Sequence, residues 1–275
     1  MTPETSPSAA RSTLVTDEHA AMVEYADVHK RFGNKVVLNG LNLEVRKGET
    51  LALLGRSGTG KSVTLRLLIG LLRPDRGTVR IAEQDLATVS DDELVRIRRH
   101  VGMVFQGGAL FDSMSVCENV AYGLVEHFRW PRAKVLARVR ECLALVDLAH
   151  AENLEPSSLS GGMKKRVAIA RAIATSPEIL LYDEPTAGLD PGTTTQVNKL
   201  IRSLQERLGV TSVLVTHDMP SAFQCADRIA LLERGKLAWL GSVAEAQESP
   251  PESLAQFLTP EPEEGEPWTS PVASR

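Results

Sequence analysis

Hydrophobic and polar positions alternate along the early part of the chain and then give way to short, fully apolar runs. The alternation at Leu41, Leu43 and Val45 indicates a strand with one buried face. Further strands are predicted at residues 50–54, 78–81, 101–105, 179–182 and 213–215. Apolar runs of this length are typical of strands covered on both faces, as in a parallel sheet.

Segments with helical spacing lie between these strands. Helices are predicted over residues 61–72, 160–174 and 196–208, with others beginning at Ser90 and near Pro131. Ser90 and Glu93 form a capping-box pattern, and Pro131 fits the first turn of a helix. Because strands alternate with helices, we expect a parallel α/β core, with a helical subdomain at about 107–175.

Composition and charge narrow the class of protein. The 275 residues are 43% hydrophobic and 24% charged, which is typical of a globular protein with a substantial core. The net charge of −4 argues against nucleic acid as the main partner. Cys117, Cys142 and Cys225 lie far apart, which argues against a disulfide framework or a zinc site and favours a reducing compartment.

The two ends of the chain differ in composition from the middle. Residues 1–20 are rich in Ser, Thr, Pro and Ala and are expected to be disordered, a folded domain is expected over 21–245, and residues 246–275 form a Pro- and Glu-rich tail. Leu254, Phe257, Leu258 and Trp268 leave open whether this tail is free or anchored. No apolar run approaches the ~20 residues that span a bilayer, so we expect a protein that does not itself cross a membrane.

A phosphate-binding loop is predicted between the strand at 50–54 and the helix that follows. The motif G-x-x-x-x-G-K-[ST] is matched by Gly55, Arg56, Ser57, Gly58, Thr59, Gly60, Lys61 and Ser62, and Val63 continues the nucleotide site. In this motif backbone N–H groups surround the phosphates of ATP. Lys61 is expected to contact the β- and γ-phosphates, and the hydroxyl group of Ser62 is expected to bind Mg²⁺.

Two carboxylates follow the apolar run at 179–182, at the end of the strand where ligands bind in open α/β sheets. Asp183 is expected to bind Mg²⁺, directly or through water, and Glu184 to activate the attacking water. An apolar run that ends in Asp-Glu is weak evidence alone. Together with the phosphate loop it predicts ATP hydrolysis.

A signature before a helix makes a family resemblance specific. Leu159, Ser160, Gly161, Gly162 and Met163 resemble the LSGG signature of ATP-binding cassette (ABC) proteins. The resemblance covers about residues 22–243. It implies a P-loop NTPase with a RecA-like core, an antiparallel β subdomain and a helical signature subdomain. It also implies an ATP-sandwich homodimer, in which Ser160, Gly161 and Gly162 face the γ-phosphate bound by a second copy.

Other positions match the same family in order. Phe32 resembles the aromatic residue that stacks on adenine, with a core aromatic as the alternative. Gln106 resembles the glutamine that contacts Mg²⁺ or water and joins the two subdomains. Asp190 lies in a segment that resembles the loop crossing the dimer, and His217 resembles the histidine that senses the γ-phosphate.

A narrower resemblance appears at residues 104–116, at residues 61–65 and at Met163. These segments look like the ATPase of Mla-type phospholipid transporters. That likeness implies a separate multi-spanning permease, a mammalian-cell-entry (MCE) domain protein, and a peripheral location on the cytoplasmic face of the inner membrane. Ala109, Leu110 and Phe111 then suit permease docking, with core packing as the alternative.

Other functions stay open beside phospholipid transport. They are a soluble ABC ATPase, such as that of iron–sulfur cluster assembly, and an ABC importer of another substrate. DNA-repair and translation ABC proteins usually carry two cassettes or long coiled coils, which this sequence lacks. A phosphotransferase built on the phosphate loop would not explain the LSGG segment.

Overall fold

Two β-sheets frame the protein in the computed structural model, which describes residues 21–258. The strands are β1 Ala21–Phe32, β2 Lys35–Arg46, β3 Thr50–Leu54, β4 Arg76–Ile81, β5 Gln84–Asp85, β6 Val101–Val104, β7 Ile179–Asp183, β8 Thr211–Val215, β9 Arg228–Glu233 and β10 Lys236–Ser242. One sheet is antiparallel, in the order β2-β1-β4-β5. The other has the order β10-β9-β3-β8-β7-β6 and is parallel except for β10.

The helices cover the faces and one end of the larger sheet. They are α1 Lys61–Leu68, α2 Asp91–Arg99, α3 Val116–His127, α4 Arg132–Leu145, α5 Gly161–Ala174, α6 Pro191–Leu208, α7 Met219–Cys225, α8 Val243–Glu248 and α9 Glu252–Leu258. Every residue of β3, β7 and β8 is buried, as expected for strands covered on both faces. The predicted parallel α/β core is therefore confirmed.

Within residues 21–258, the buried hydrophobic residues form three clusters. One fills the space between the two sheets and includes Leu38, Leu53 and Ile81. A second joins α3, α4 and α5 to the sheet. The third is smaller and lies where α7, α8 and α9 meet β3, β9 and β10. Each of the two larger clusters therefore attaches one of the added layers, antiparallel or helical, to the parallel sheet.

Some helix boundaries differ from the sequence prediction. α1 ends at Leu68, not at residue 72, because Gly70 takes a left-handed φ of 65° that ends the helix. Arg98 of α2 donates hydrogen bonds to the carbonyl oxygens of Ile69 and Gly70, at 2.8 and 3.2 Å, and so satisfies groups that the helix leaves free.

One other helix begins earlier than the sequence predicted, and another begins beside its predicted proline. α6 begins at Pro191, not at residue 196, because the side chain of Asp190 caps it. Pro131 is the N-cap of α4 and precedes its first turn. Both proline positions agree with the preference of this residue for helix starts, where its missing N–H is not needed.

The C-terminal segment forms two short helices as far as residue 258. The expected boundary at residue 246 falls inside α8, and Leu254 of α9 is 0% exposed. Residues 1–20 and 259–275, including Trp268, lie outside the described part of the chain. Within residues 21–258, no helix has both the length and the hydrophobicity to cross a bilayer.

Candidate functional site

The loop between β3 and α1 adopts a conformation that its glycines permit. Gly55, Gly58 and Gly60 have φ angles of 156°, 79° and 110°. A Cβ atom on Gly55 would lie 2.5 Å from the carbonyl oxygen of Leu232, and one on Gly60 would lie 2.9 Å from Cδ2 of Leu38. Side chains are therefore excluded here by backbone strain and by contact.

This loop leads directly into the N-terminus of α1. Gly60 is the N-cap and has no side chain with which to cap the helix. The first N–H groups of a helix lack carbonyl partners within it, and the aligned peptide dipoles make this end positive. The start of α1 therefore suits a phosphate group.

Lys61 lies inside the loop, where it is only 8% exposed. Its Nζ donates hydrogen bonds to the carbonyl oxygens of Gly55 and Arg56, at 2.6 and 3.2 Å. Burial lowers the pKa of this ammonium group, while the negative charges of Glu184 and Asp183 partly oppose that shift. The loop thus holds a buried cation beside two carboxylates.

Ser62 and Asp183 form a pair at the carboxyl end of β7. Ser62 Oγ donates to Asp183 Oδ1 at 2.9 Å. Burial raises the pKa of Asp183, and the hydrogen bond from Ser62 and the charges of Arg66 and Lys61 partly offset this effect. Mg²⁺ prefers oxygen ligands and commonly takes one or two carboxylates together with substrate phosphates. A hydroxyl and a carboxylate oxygen at this separation fit that ion.

Glu184 and His217 form a second pair beside the first. His217 Nδ1 lies 2.9 Å from Glu184 Oε2, and the N–H of Glu184 donates to the carbonyl oxygen of Val215 at 2.9 Å. Glu184 has a φ of 49°, which is uncommon for a residue with a side chain. Strain of this kind concentrates at functional sites, where the surrounding structure fixes it.

Lys165 connects these groups to α5, and no sequence motif pointed to it. This buried side chain donates hydrogen bonds to the carbonyl oxygen of Gln106 and, at 3.5 Å, to that of Glu184. Burial lowers the pKa of Lys165, and the charge of Glu184 partly opposes the shift. The available signal was its place on the first turns of the helix that begins after Ser160.

A cavity of about 800 Å³ contains most of the predicted nucleotide residues. Its lining consists of Phe32, Lys35, Val37, Arg56, Ser57, Gly58, Gly60, Lys61, Ser62, Val63, Gln106, Glu184, His217 and Phe257. Phe32 is 47% exposed, so its alternative position in the core is excluded. Asp183 does not itself line the cavity but accepts a hydrogen bond from Ser62, which does. Gly55 and Thr59 belong to the phosphate loop and contact its other residues, as in the hydrogen bond from Thr59 to the carbonyl oxygen of Arg56.

Three lining residues were not part of the predicted site: Lys35, Val37 and Phe257. Lys35 and Val37 follow Phe32 closely in sequence, on β2, and so enter the cavity with the same hairpin. Lys35 Nζ lies 4.0 Å from the position that a Cβ of Gly58 would take. Phe257 belongs to α9, which is distant in sequence from the other lining residues, so its position at the cavity results from tertiary packing.

Ser160, Gly161 and Asp190 are exposed on a surface apart from the cavity, and Gly162 is buried beside them. Ser160 Oγ accepts a hydrogen bond from the N–H of Met163 at 3.3 Å, and Asp190 Oδ1 accepts one from the N–H of Thr193 at 3.0 Å. A Cβ on Gly162 would collide with Thr193. In the described part of the chain, Ser160, Gly161, Gly162 and Asp190 do not line the cavity. The protein therefore carries two distinct groups of motif residues.

The chain is similar in sequence to a known protein family and to individual proteins. Residues 38–187 match the family model described as ABC transporter. The methionine import ATP-binding protein MetN of Brucella abortus is 40% identical over 260 residues, covering 91% of this chain and 70% of that protein. The Arabidopsis thaliana protein Trigalactosyldiacylglycerol 3, chloroplastic, is 42% identical over 255 residues, covering 86% and 73%.

A solved structure extends this likeness to the fold. It is an ATP-binding cassette in a dimeric, post-hydrolysis state with ADP and Pi, and it matches with a TM-score of 0.74 and 36% identity over 81% of this chain and 99% of that one. The predicted ABC ATPase fold, with its antiparallel sheet and helical subdomain, is confirmed. This chain therefore belongs to the ABC transporter family, as an ATP-binding subunit that hydrolyses ATP.

Proposed function

We propose that this chain powers a membrane transporter by hydrolysing ATP at the carboxyl end of β7. The observation that carries this proposal is the pair of adjacent carboxylates on that strand. Asp183 accepts a hydrogen bond from Ser62 of the phosphate loop, and Glu184 lies 2.9 Å from His217. The two carboxylates thus have different partners. This suits Asp183 to the role of metal ligand and Glu184 to the role of general base.

Different residues around the cavity contact different parts of ATP. Backbone N–H groups at the start of α1 and the ammonium group of Lys61 bind the phosphates. The exposed ring of Phe32 stacks on adenine. Ser62, Asp183 and Gln106 would hold Mg²⁺, which would supply positive charge against the phosphates.

Hydrolysis itself depends on Glu184. Its carboxylate takes a proton from the attacking water, and the fixed left-handed backbone at this residue orients it toward the cavity. His217 holds one carboxylate oxygen and senses the γ-phosphate.

The exposed signature supports a head-to-tail homodimer. Ser160, Gly161 and Asp190 are exposed and stand apart from the cavity. A homodimer and a membrane permease both fit the cassette architecture of the family. In such a dimer Ser160, Gly161 and Gly162 of one copy complete the nucleotide site of the other, again by placing the N-terminus of a helix at an anion.

Ser160→Arg is expected to abolish ATP-dependent dimerisation, because a large cation replaces a small hydroxyl at the proposed interface. The measurement is sedimentation of the Glu184→Gln protein with Mg-ATP, with and without Ser160→Arg. Ser90→Arg is the matched control, since Ser90 caps α2 in the same manner and lies outside the signature. A dimer that forms equally well with the Ser160→Arg substitution would contradict the head-to-tail arrangement.

The segment after Gln106 has the properties of a docking surface. Asn119 is fully buried and holds this segment in place. Its Oδ1 accepts from the N–H of Phe111 at 2.8 Å, and its two Nδ2 hydrogens are shared among the carbonyl oxygens of Phe111, Met114 and Ser115, which lie 3.1, 3.0 and 3.1 Å from Nδ2. The segment is therefore ordered before any partner binds, which lowers the entropic cost of association.

A second anchor comes from α5. Arg171 donates hydrogen bonds to the carbonyl oxygens of Gly108 and Ala109, at 2.8 and 2.7 Å. Phe111 remains 40% exposed and packs against Tyr122, which is 39% exposed, with ring centroids 4.8 Å apart. Leu110 instead packs against the helical core, so the docking surface centres on Phe111.

Phe111→Asp is expected to release the protein from membranes while basal ATP hydrolysis stays close to the wild-type rate. A charge on an exposed side chain disrupts an apolar contact at little cost to folding. Membrane fractionation and the ATPase rate of the soluble fraction are the measurements. Val36→Asp, at a side chain that is 58% exposed on the antiparallel sheet, is the control. Release by both variants alike, or by neither, would contradict docking at Phe111.

For the cargo we infer phospholipid, moved with a separate permease and an MCE-domain protein, with this subunit on the cytoplasmic face of the inner membrane. The support is the pattern at residues 104–116 and Met163, and a 42% identical relative that is named after a glycolipid. Methionine import is the second candidate, because a 40% identical relative is named for it.

One comparison separates the two cargoes. A strain that lacks this gene, complemented with wild type or with Glu184→Gln, is tested for uptake of radiolabelled methionine and for the phospholipid composition of its separated membranes. In the strain complemented with Glu184→Gln we expect altered membrane phospholipid composition and detergent sensitivity, with normal methionine uptake. Loss of methionine uptake with unchanged lipids would reject the lipid cargo and leave the ATPase assignment intact.

A further inference from the structure

The C-terminal helix α9 brings an aromatic side chain to the nucleotide cavity. Phe257 lines that cavity together with Phe32, although the two residues lie near opposite ends of the described chain. The family motifs identified in the sequence do not include α9. Its presence at the cavity therefore calls for a separate physical explanation.

Buried packing fixes α9 in this position. Leu254 is 0% exposed and belongs to the cluster formed with Leu54, Ile229 and Ala246. Phe257 lies one turn later and packs partly against the same cluster. Because the helix is anchored by a fully buried leucine, the position of Phe257 follows from the core and not from a freely moving chain end.

The lining of the cavity is chemically divided. Its apolar side chains are Phe32, Val37, Val63 and Phe257, and its charged side chains are Lys35, Arg56, Lys61 and Glu184. A nucleotide has the same division, with an apolar base and charged phosphates. Aromatic side chains bind bases through their faces, and each such contact stabilises binding measurably.

We propose that Phe257 is a second base-contacting residue, so that α9 forms part of the ATP site of its own chain. This inference rests on the proposed function, in which Phe32 contacts adenine. Binding energy gained at Phe257 then links the nucleotide to the seating of α9: ATP stabilises the helix on the domain, and displacement of the helix weakens ATP binding by the same factor.

The test compares two ligands in the full-length protein. Phe257→Ala is expected to weaken Mg-ATP binding by roughly tenfold, from the loss of one aromatic contact with the base. Binding of inorganic tripolyphosphate, which has no base, is expected to stay unchanged. Isothermal titration calorimetry measures both. Phe257→Trp, which keeps an aromatic face, is expected to retain most of the ATP affinity.

Phe223→Ala is the matched control. Phe223 packs against the same cluster as Phe257 but does not line the cavity, so the same truncation there is expected to leave both affinities unchanged. Equal ATP affinity in wild type and Phe257→Ala would overturn the inference. An equal loss of ATP and tripolyphosphate binding would also overturn it, because the effect would not come from the base.

A measurement on the wild type gives an independent check. Mg-ATP is expected to slow amide hydrogen exchange in α9, and tripolyphosphate is expected to leave it unchanged. Unchanged exchange with saturating ATP would reject the link between α9 and the nucleotide. A wild-type protein that binds no Mg-ATP at all would instead reject the proposed function, so the two failures are distinguishable.

Discussion

Glu184→Gln is expected to reduce steady-state ATP hydrolysis by about 10²–10⁴-fold while ATP binding persists, because the amide keeps the shape of the side chain but cannot accept a proton. The amide also changes the contact with His217 Nδ1, which lies 2.9 Å from Glu184 Oε2. Both consequences act on the chemical step. The rate of phosphate release reports the chemical step, and nucleotide affinity reports binding. Both are measured on the same purified sample.

The control for this variant is Glu206→Gln. Glu206 is an exposed residue of α6 that pairs with Arg202, and the same chemical change there is expected to leave hydrolysis at the wild-type rate. Near-normal turnover in Glu184→Gln would remove Glu184 from the role of general base. The proposal for this site would then lose its central residue.

Lys61→Ala is expected to weaken nucleotide binding severely, or turnover, or both, because the buried cation of the phosphate loop is lost. The variant also removes the hydrogen bonds from Nζ to the carbonyl oxygens of Gly55 and Arg56, at 2.6 and 3.2 Å. Nucleotide affinity and the steady-state ATPase rate report the first effect. The melting temperature without nucleotide reports any loss of loop stability.

Lys199→Ala provides the comparison, since Lys199 is an exposed lysine of α6 that does not line the cavity. We expect wild-type affinity and rate from it. If Lys61→Ala kept both its affinity and its rate, the loop between β3 and α1 would not be a phosphate site, whatever its shape.

Local geometry explains why the phosphate loop and the helix caps were predictable, whereas Phe32, Gln106 and His217 were assigned to the site through the family resemblance and do line the cavity. The phosphate loop follows β3 directly and opens α1, so its glycines and Lys61 are arranged by a few neighbouring residues. Ser160 caps α5 within the same turn as its partner Met163. The capping box of Ser90 and Glu93 was predicted for the same reason and is confirmed.

Contacts between distant segments were not predictable from such patterns. Lys165 reaches the carbonyl oxygens of Gln106 and Glu184 only because α5 packs against β6 and because these two residues follow the neighbouring strands β6 and β7. Phe257 enters the cavity through the burial of Leu254. The left-handed backbone of Glu184 also escaped prediction, because no local signal marks that conformation in a residue other than glycine.

The errors at helix ends have a different origin. Signals for the early end of α1 and the early start of α6 were present, at Gly70 and at Asp190 followed by Pro191. The prediction followed apolar periodicity instead, and that periodicity continues past one end and begins after the other. Capping residues are the better guide to where a helix begins and ends.

Two cationic side chains of α5 bind the backbone of the proposed docking segment, residues 106–111. Lys165 binds the carbonyl oxygen of Gln106, and Arg171 binds those of Gly108 and Ala109. These hydrogen bonds join the segment to the helix that begins after Ser160, so we expect a displacement imposed at Phe111 to move that helix as well. Replacing Lys165 and Arg171 by residues without these donors would remove the hydrogen bonds and is expected to uncouple the segment from that helix.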